Sequence, residues 1–536
     1  MNTYTEKCDD LPNSSRVAIL PGPTRRVFCQ SLLAGMASTF LTRPLWTQEP
    51  VTTLSLRPAA NRSVPTDYTG FSYETVQLAD PSFFAADNHA LIALFRLLSP
   101  RGVLRIGGNS SEFCWWQTKP NQQPPPDPSS AGHAENWMPH NLTAIQPVAV
   151  DKLAGFLDAT GWKAIYGLNL GTGTPERAAE ESAYVARILG SRLLYFQIGN
   201  EPEFYRNSNN QLRAPGWNFD QYLAQWTAFA RAVIERVPEA RFGGPDVGSD
   251  DSWVVRFAQE APKLLPGRIV ACTGHYYAEG PPDSPRVTVA RLLTTDAKID
   301  RDLPHVIEAA DSAGIVYRMT EGNSCYRGGK PGMSNAFCSA LWAADYLLKL
   351  ASYGCAGVNL HGGGSKQIRA SLGGHLPGEQ LDPGAVEVAK EGSFYTPIAG
   401  SRESGFKARP VFYGMKLANV LAGGRMRPVS LGTDQPTVTA YAADMEGAGT
   451  RVVIINKDAS TDLRVRLESK HGAKIWRLEA PSLTATSGVT LAGAPLDAAN
   501  PWKPIREERV TSEAGFLTFN VGAASALALF SDNRLA

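Results

Sequence analysis

The sequence predicts an α/β protein, a (β/α)8 TIM barrel followed by a C-terminal β-sandwich module. Three observations predict it. From residue 67 on, eight short apolar segments end in polar or Gly-rich turns. Stretches with apolar residues at helical spacing separate these segments, and this alternation is typical of a parallel sheet with crossover helices. After about residue 424 the pattern changes to short strands separated by turn residues, which is typical of two packed sheets.

The eight apolar segments are expected to form the barrel wall, because strands that are buried on both faces are nearly continuous apolar runs. In chain order they span residues 68–74, 102–109, 163–171, 193–201, 240–247, 269–277, 315–321 and 356–362. Eight such strands, each followed by a helix, predict a closed parallel barrel.

The helical segments between these strands are predicted from their apolar spacing and their end signals. Pro175 lies where a first-turn proline is tolerated. The clearest patterns span residues 83–98, 148–159, 175–189, 219–237 and 334–353, and residues 406–421 supply the eighth helix. Two long excursions, residues 114–140 and 363–402, follow the second and eighth strands. Loops after barrel strands lie on the catalytic face, so we expect both to shape a cleft.

The domain organisation follows from where these patterns change. The barrel is expected to span residues 67–423 and the β-module residues 424–536, with residues 51–66 supplying an N-terminal strand that joins the module. The module strands are predicted at residues 437–441, 450–455, 463–467, 474–478, 515–521 and 526–530. The module either binds ligand or braces the barrel. Bracing is favoured, because small accessory sheets commonly bury an apolar face against their neighbour.

The N-terminal residues 1–50 have the features of an export signal and leader. Arg25 and Arg26 precede an apolar stretch, residues 31–41, which is too short to span a membrane. The pattern resembles a twin-arginine signal, although Cys29-Gln30 replaces the more usual Leu-Lys. A disordered basic tail is the alternative. The signal predicts a periplasmic or secreted protein with no membrane span in its mature form.

The composition excludes several classes of function. The net charge of the 536 residues is +1, whereas a nucleic-acid-binding protein normally has a basic face. The eight histidines are scattered with no H-x-x-x-H pair, and the seven cysteines form no C-x-x-C pair. We therefore predict no metal and no other cofactor. The oligomeric state is left open.

Two glutamates stand at the predicted ends of opposite strands. Glu201 ends the fourth strand in IGNEPE, and Glu321 ends the seventh in MTEGN. Strands four and seven face each other across a barrel mouth, so both carboxylates can point at one sugar carbon. A retaining glycosidase needs such a pair, one carboxylic acid to protonate the leaving oxygen and one carboxylate to attack the anomeric carbon. Either glutamate alone could be a structural ion-pair partner, but the two together favour catalysis.

Several motifs resemble those of glycoside hydrolase family 79, the β-glucuronidase and heparanase family. LRIGGN at 104–109 is similar to its second-strand motif, GHYY at 274–277 to its sixth-strand motif, and EGNSCYRGG at 321–329 to its nucleophile motif. Asn200-Glu201 resembles the acid/base motif of the wider clan. The resemblance covers roughly residues 51–536.

This resemblance implies that Glu201 is the acid/base and Glu321 the nucleophile. Tyr326, Arg327 and Gly328 would contact a uronic carboxylate through a phenol and backbone N–H groups. Heparanase has Gly where this chain has Arg327. The arginine side chain points either towards the carboxylate, where its charge is favourable, or to solvent.

Further substrate-binding residues are also expected. Tyr277 would orient the nucleophile, and Asn200 would hydrogen-bond the sugar 2-hydroxyl, a bond that strengthens in the transition state. Glu74 and Asn109, at the ends of the first two strands, bind sugar hydroxyls or have a structural role. Tyr395, in the long loop after the eighth strand, could reach the site.

Two residues next to these candidates are expected to act through their neighbours. His275 either holds a neighbour by a ring hydrogen bond or is a structural histidine. Glu203 is expected to orient a loop.

The activity predicted from these residues is hydrolysis of terminal β-linked glucuronic acid by double displacement, an exo-acting β-glucuronidase. An endo-acting hydrolase of uronic-acid polysaccharides is the main alternative. Near-neutral charge and long loops that can close a pocket favour exo action. A neutral-sugar β-glycosidase of the same clan would have no use for the segment 326–328. An inactive carbohydrate-binding protein finds no support, because both carboxylates are present.

Overall fold

Strands and helices alternate along most of the chain, and strands alone fill its last part. A computed structural model describes residues 51–59, 62–125, 142–206, 212–294, 297–433, 435–498 and 501–535. The predicted export segment 1–50 and residues 126–140 of the first long excursion lie outside the described residues. The strands are β1 (Val51–Leu56), β2 (Thr69–Glu74), β3 (Val103–Gly107), β4 (Cys114–Trp116), β5 (Thr143–Ile145), β6 (Lys163–Leu168), β7 (Leu193–Ile198), β8 (Phe242–Val247), β9 (Ile269–Glu279), β10 (Val316–Cys325), β11 (Val358–Gly362), β12 (Ile398–Ser401), β13 (Gly405–Ala408), β14 (Arg425–Arg427), β15 (Val429–Leu431), β16 (Val438–Met445), β17 (Gly449–Asn456), β18 (Leu463–Glu468), β19 (Ala473–Glu479), β20 (Thr490–Leu491), β21 (Glu508–Val510), β22 (Phe516–Val521) and β23 (Ser525–Ser531).

The helices lie mainly between the strands of the first part. They are α1 (His89–Leu98), α2 (Pro147–Thr160), α3 (Pro175–Leu189), α4 (Phe219–Arg236), α5 (Asp251–Leu264), α6 (Val289–Leu292), α7 (Ala297–Ser312), α8 (Phe337–Tyr353), α9 (Ser365–Ser371), α10 (Ala385–Lys390) and α11 (Pro410–Ala418). Within the described ranges, no helix has the length and apolar character needed to cross a membrane.

The predicted barrel is confirmed. β2, β3, β6, β7, β8, β9, β10 and β11 form one closed sheet, and each of the eight predicted segments overlaps one of these strands. Six segments contain their strand entirely, whereas β9 and β10 continue beyond the predicted ends, to Glu279 and Cys325. Neighbours in the wall follow the chain order, and β11 closes the barrel against β2 in parallel register. Every residue of β2, β3, β8 and β11 is buried, because one face packs inside the barrel and the other packs under the helices.

The helix ends follow local capping chemistry. α3 begins at Pro175, where the Thr174 side chain accepts a hydrogen bond from the N–H of Arg177. The predicted eighth helix, 406–421, is wrong at its start, because residues 405–408 form β13, which pairs with β12. Arg409 is extended before Pro410, since proline disfavours the helical conformation of the residue that precedes it, and α11 begins only there.

The first predicted helix, 83–98, also begins later than expected. Residues 83–88 form turns, and α1 starts at His89. The side chain of Asn88 donates a 2.7 Å hydrogen bond to the carbonyl of Phe83 and so closes this turn instead of continuing a helix.

The predicted C-terminal β-sandwich is also confirmed. One sheet has the order β15-β1-β18-β22, and β1 joins it by pairing in parallel with β18 and antiparallel with β15. The other sheet contains β14, β16, β17, β23, β19 and β20, with β21 beside β19. Successive residues of β17 serve two cores: Val452 and Ile454 pack between the sheets, whereas Val453 and Ile455 belong to the core shared with the barrel.

A buried ion pair joins the module to the barrel. Asp345 on α8 pairs with Lys457, which follows β17, and the side chains are 11% and 2% exposed. The same carboxylate accepts hydrogen bonds from Thr439 Oγ1 at 2.7 Å and from Tyr441 Oη at 2.6 Å. These polar contacts lie beside the apolar layer of the sheet and support bracing as the role of the module.

Replacing Asp345 by Asn is expected to lower the free energy of unfolding by about 3–5 kcal/mol, because Lys457 then remains buried without its counter-charge. Urea unfolding followed by tryptophan fluorescence measures this loss. Glu387→Gln is the matched control, since Glu387 pairs with Lys390 at the surface and both side chains are more than 60% exposed. Equal stability of the two variants would contradict the bracing role of the pair.

Candidate active site

Two carboxylates meet at the mouth of the barrel. Glu201 follows β7, and Glu321 lies in β10 on the opposite side. A carboxylate oxygen of each, together with a ring nitrogen of His275, lies within 4.8 Å of the others. Retaining glycosidases hold their two carboxyl groups about 5–5.5 Å apart, whereas inverting enzymes need about 6.5–9.5 Å to admit a water. The short separation therefore fits direct attack by one carboxylate.

The turn after β7 gives Glu201 an unusual backbone conformation. Its φ is +46°, in the left-handed region that residues with side chains rarely adopt. The N–H of Glu201 donates a 2.9 Å hydrogen bond to the carbonyl of Asp246 and so ties the turn to the end of β8. Strained backbone of this kind concentrates at functional sites. The side chain is 19% exposed and can be reached from the cleft.

Glu321 is held by donors on both oxygens. Tyr277 Oη donates to Oε1 at 2.7 Å, and Arg105 Nη1 donates to Oε2 at 2.6 Å. Burial alone would raise the pKa of this carboxyl, but the positive charges of His361, His275 and Arg105 outweigh burial and hold the pKa well below its ordinary value. Glu321 is therefore ionised, as a nucleophile must be. Tyr277 lies where the sequence predicted it.

A buried polar network lies beneath the two glutamates. Arg105, on β3, donates from Nη2 to Asn200 Oδ1 at 2.7 Å and pairs with Asp246. His275 bridges Asp246 and Glu201, with Nε2 3.1 Å from Asp246 Oδ1 and Nδ1 3.0 Å from Glu201 Oε1. His275 thus contacts a catalytic candidate, one of the two alternatives that the sequence left open.

Asn200 and Asn109, which were both expected to bind sugar hydroxyls, lie next to each other in the structure. Asn200 Nδ2 lies 3.2 Å from Asn109 Oδ1. The N–H of Asn200 donates to Glu112 Oε1 at 2.6 Å, and Glu112 also accepts from Gly171 N, so one buried carboxylate links the loops after β3, β6 and β7. This link fixes the backbone immediately before Glu201.

Glu74 lies at the end of β2, buried and 3% exposed. Its Oε2 accepts hydrogen bonds from the N–H and the hydroxyl of Ser110, at 2.9 and 2.7 Å, and its Oε1 is 3.4 Å from His361 Nε2. A Cβ on Gly108 would lie 2.5 Å from this carboxylate, so glycine is required there. Of the two expectations for Glu74, these contacts favour the structural one.

Aromatic residues border Glu321 on the outer side. The ring of Tyr326 stands edge-on to Tyr277, with centroids 6.4 Å apart, and Tyr326 is 37% exposed. The ring of Tyr395 lies 6.1 Å from that of Tyr277, so the loop after β11 does reach the site. A Cβ on Gly280 would lie 2.3 Å from the Tyr326 ring, and glycine at this position lets the ring approach. Tyr326 is therefore an exposed tyrosine that packs against Tyr277, the residue that holds Glu321.

Two neighbours of Tyr326 have backbone conformations suited to presenting N–H groups. Arg327 and Gly328 have φ values of +57° and +86°. Arg327 is partly buried, and Gly328 is buried. The Gly328 carbonyl accepts a 2.7 Å bond from the N–H of Phe394, which ties this corner to the loop that carries Tyr395.

Glu203 orients a loop, as expected. Its Oε1 accepts hydrogen bonds from the N–H groups of Gly248 and Ser249 at 2.6 and 2.9 Å. Burial, followed by the charge of Glu201, raises the pKa of Glu203 to about 8. The loop that it holds forms the wall beside Glu201.

The sequence did not predict the roles of Arg105, Asp246, Gln197 or His361. Arg105 was visible only as part of a motif, although a charged residue in an otherwise apolar barrel strand is a signal in itself. Asp246, near the end of the fifth predicted strand, is likewise a charged residue in a segment that is otherwise mostly apolar. Their contacts could not be read from spacing, because the Arg105 partners Gln197, Asp246 and Glu321 lie 92, 141 and 216 residues away.

Glu201, His275 and Glu321 form one set that could hold a metal ion, judged within the described ranges. Burial would lower the pKa of His275, but the charges of Asp246 and Glu321 raise it to about 10. A doubly protonated imidazole has no lone pair to offer a metal. The set is therefore suited to proton transfer and nucleophilic attack.

Comparisons with known proteins find similar chains among glycoside hydrolases. The family model described as "Glycosyl hydrolase family 79 C-terminal beta domain" matches residues 440–527. A β-glucuronidase of Aspergillus niger is 24% identical, over 90% of this chain and 94% of that protein. A β-glucuronidase of Neurospora crassa is 27% identical, over 68% of this chain and 66% of that protein. The structure of a 4-O-α-L-rhamnosyl-β-D-glucuronidase from Fusarium oxysporum matches with a TM-score of 0.68 and 18% identity, over 89% of this chain and all of that one.

Proposed function

Because residues 440–527 match the C-terminal β-domain of glycoside hydrolase family 79 and two β-glucuronidases are 24% and 27% identical, we propose that this chain is a family 79 enzyme, a retaining exo-β-glucuronidase that hydrolyses terminal β-linked glucuronic acid. The observation that carries the proposal is the pair Glu201 and Glu321, whose oxygens approach within 4.8 Å at the barrel mouth. The β-glucuronidases of Aspergillus niger and Neurospora crassa are similar over most of this chain and support the substrate class.

The reaction proceeds in two displacements. Glu201 gives its proton to the glycosidic oxygen while the ionised Glu321 attacks the anomeric carbon, which forms a glycosyl–enzyme ester. Glu201 then takes a proton from water, and the water displaces Glu321. Tyr277 holds Oε1 of the nucleophile at 2.7 Å, so the carboxylate enters the reaction already oriented. Asn200, fixed by Arg105 and Glu112, binds the 2-hydroxyl of the sugar.

The uronic carboxylate binds at the corner formed by Tyr326, Arg327 and Gly328. The accessible Tyr326 phenol donates to the carboxylate, and the backbone N–H groups after it supply further donors. Tyr395 and Asn109 line the same cavity as sugar contacts. Glu74 shapes the cavity by holding Ser110 and His361.

Tyr326→Phe is expected to lower kcat/KM for p-nitrophenyl β-glucuronide by about 10- to 100-fold, because a hydrogen bond to a charged group contributes about 1.5–3 kcal/mol. Slow turnover of the β-glucoside, which lacks the carboxylate, should stay unchanged. Steady-state kinetics on both substrates measure the difference. Tyr184→Phe, which removes a surface phenol bonded to Asp151, serves as the control. Equal losses on both substrates would place the carboxylate elsewhere.

The proposal as a whole is tested by offering the wild-type protein p-nitrophenyl β-glucuronide beside the β-glucoside and β-xyloside. Turnover of the glucuronide, with the β-anomer as the first product in proton NMR, supports a retaining glucuronidase. Turnover of a neutral glycoside alone overturns the uronate assignment. If none of the three reacts but an internal uronic-acid polymer is cut, the enzyme is endo-acting.

Export through a twin-arginine signal in residues 1–50 is also proposed, from Arg25, Arg26 and the apolar stretch that follows. The protein would then act in the periplasm or outside the cell. N-terminal sequencing of the protein recovered from outside the cytoplasm tests this, since a cleaved signal leaves a mature N-terminus downstream of the apolar stretch 31–41. Protein found only in the cytoplasm with the segment intact would contradict the proposal.

A further inference from the structure

Asp246 is the most heavily contacted carboxylate beneath the candidate active site. It lies in β8, its side chain is 1% exposed, and its φ is +63°. Thr320 Oγ1 and Gln197 Nε2 both donate to Oδ1, the latter at 2.6 Å. His275 Nε2 lies 3.1 Å from the same oxygen, and Arg105 pairs with Oδ2. A strained conformation persists only where surrounding contacts hold it, as these four side chains do.

Each positively charged partner of Asp246 also contacts a different glutamate of the reacting pair. Arg105 reaches Glu321 Oε2 at 2.6 Å. His275 reaches Glu201 Oε1 through its other ring nitrogen at 3.0 Å. Two short chains of contacts therefore run from one buried carboxylate to both catalytic candidates.

We propose that Asp246 is the positioning residue of the active site, and that it holds Arg105 against Glu321 and His275 against Glu201. This inference rests on the roles proposed above for the two glutamates. Asp246 does not touch the substrate, because it lies beneath the catalytic pair. Its effect reaches the reaction only through the arginine and the histidine.

The charge balance explains why an ionised carboxylate is needed at this point. Besides Arg105 and His275, the buried phenols of Tyr195 and Tyr222 lie within electrostatic reach of Asp246, whose negative charge helps raise the pKa of each. Two buried cations without a buried anion between them would repel each other and carry a large desolvation cost. Burial alone would raise the pKa of Asp246, but Arg105 and His275 hold it far below its ordinary value, so the anion persists at all working pH values.

The state of His275 decides what Glu201 can do. With both ring nitrogens protonated, Nδ1 donates to Glu201 Oε1 and fixes the carboxyl, which leaves Oε2 for the proton transfer. A neutral imidazole could instead turn its lone pair towards Glu201 and compete for the catalytic proton. His361 and Arg105 supply the remaining positive charge near Glu321.

Asp246→Asn is the direct test, because it keeps the side-chain shape and removes the charge. We expect kcat on p-nitrophenyl β-glucuronide to fall at least about 100-fold with KM changed less than about threefold, since alignment is lost and substrate contacts remain. Glu181→Gln is the matched control. Glu181 is another buried carboxylate, bonded to Tyr166 at 2.8 Å and remote from the pair, and this variant is expected to keep wild-type kcat.

A second measurement does not depend on activity. Nitrogen-15 NMR of histidine-labelled protein, with the His275 signals assigned by their loss in His275→Asn, follows the ring through a pH titration. In the wild type the His275 ring should stay doubly protonated beyond pH 9, and in Asp246→Asn it should lose a proton at a lower pH. In Glu181→Gln it should behave as in the wild type.

The two measurements together test the positioning role of Asp246 separately from the proposed function. A large loss of kcat together with a lowered His275 titration supports the positioning role. Near-wild-type kcat, or a His275 titration unmoved by the substitution, overturns it. If the variant does not fold, a wild-type His275 that titrates near its ordinary value of about 6.5 also overturns it. If the wild type does not hydrolyse glucuronides at all, the proposed function fails, and the ring titration still decides whether Asp246 holds His275.

Discussion

Glu321→Gly is expected to reduce glucuronide hydrolysis by roughly 10⁴- to 10⁶-fold, the scale of loss when an enzymatic nucleophile is removed. Tyr277, Arg105 and His361 all act on this carboxylate, and none of them can replace it as a nucleophile. The variant should stay folded, because Asp246 still neutralises Arg105 after Glu321 is lost. Measuring kcat and the thermal melting curve on the same preparation separates catalysis from stability.

Azide tests the direction of attack in the same variant. A small anion can enter the space vacated by the Glu321 side chain and attack the anomeric carbon from that face, which yields the α-glucuronyl azide. Restored release of p-nitrophenol with the α-azide as product assigns Glu321 as the nucleophile. A β-azide, or more than about a tenth of wild-type turnover without azide, would assign attack to another group. Glu181→Gln, treated with the same azide concentrations, controls for effects of the salt.

The barrel could be predicted because its strands obey a simple rule. Buried parallel strands are nearly continuous apolar runs, so most of the wall strands were visible in the sequence without their partners. The short strands β14, β15, β20 and β21 have two or three residues each and carry no periodicity to detect. The start of α1 was missed for a local reason, the side-chain hydrogen bond from Asn88 to the preceding turn.

The two catalytic candidates could be predicted from the sequence, whereas the buried residues that hold them could not. Glu201 and Glu321 stand at strand ends with distinctive neighbours, and motif resemblance extended the set to Tyr277 and Tyr326. The comparisons support the family identified by resemblance, through the match of residues 440–527 to its C-terminal β-domain and through the two β-glucuronidase relatives. The network beneath them depends on strand order around a closed sheet, which brings Arg105 to Asp246 across 141 residues. A local sequence pattern cannot predict a contact between residues so far apart in the chain.

The polar layer also explains why Glu321 can be both buried and ionised. An isolated carboxylate in this environment would take up a proton instead of carrying a charge. Arg105 and His361 oppose this tendency. Arg105 and the protonated His275 carry two positive charges, and Glu321 alone would balance only one of them, so Asp246 is needed to supply the second negative charge. The nucleophile therefore depends on residues from at least four strands, β3, β8, β9 and β11.

Glu201→Gly is expected to show a loss that depends on the leaving group. Protonation of the leaving oxygen by a general acid contributes about 10²- to 10⁴-fold. An acidic leaving group such as p-nitrophenol departs with little help from a general acid. An alkyl alcohol is a much poorer leaving group and needs to be protonated as it departs. We therefore expect kcat/KM to fall by about 10- to 100-fold for the p-nitrophenyl glucuronide and by about 10³-fold or more for an alkyl glucuronide. Steady-state kinetics across a series of aglycones measure this dependence.

Azide again gives the sharper test. The product expected from Glu201→Gly has the opposite anomeric configuration from the product expected from Glu321→Gly. In Glu201→Gly the covalent ester on Glu321 still forms with p-nitrophenol as leaving group, but no base remains to activate water. Azide needs no base, so it should attack the ester from the side of Glu201 and yield the β-glucuronyl azide. Opposite azide anomers from the two variants would fix both roles together. A uniform loss across all aglycones with no azide product would contradict proton transfer by Glu201, and the role would pass to another group such as His275, whose Nδ1 lies 3.0 Å from Glu201 Oε1.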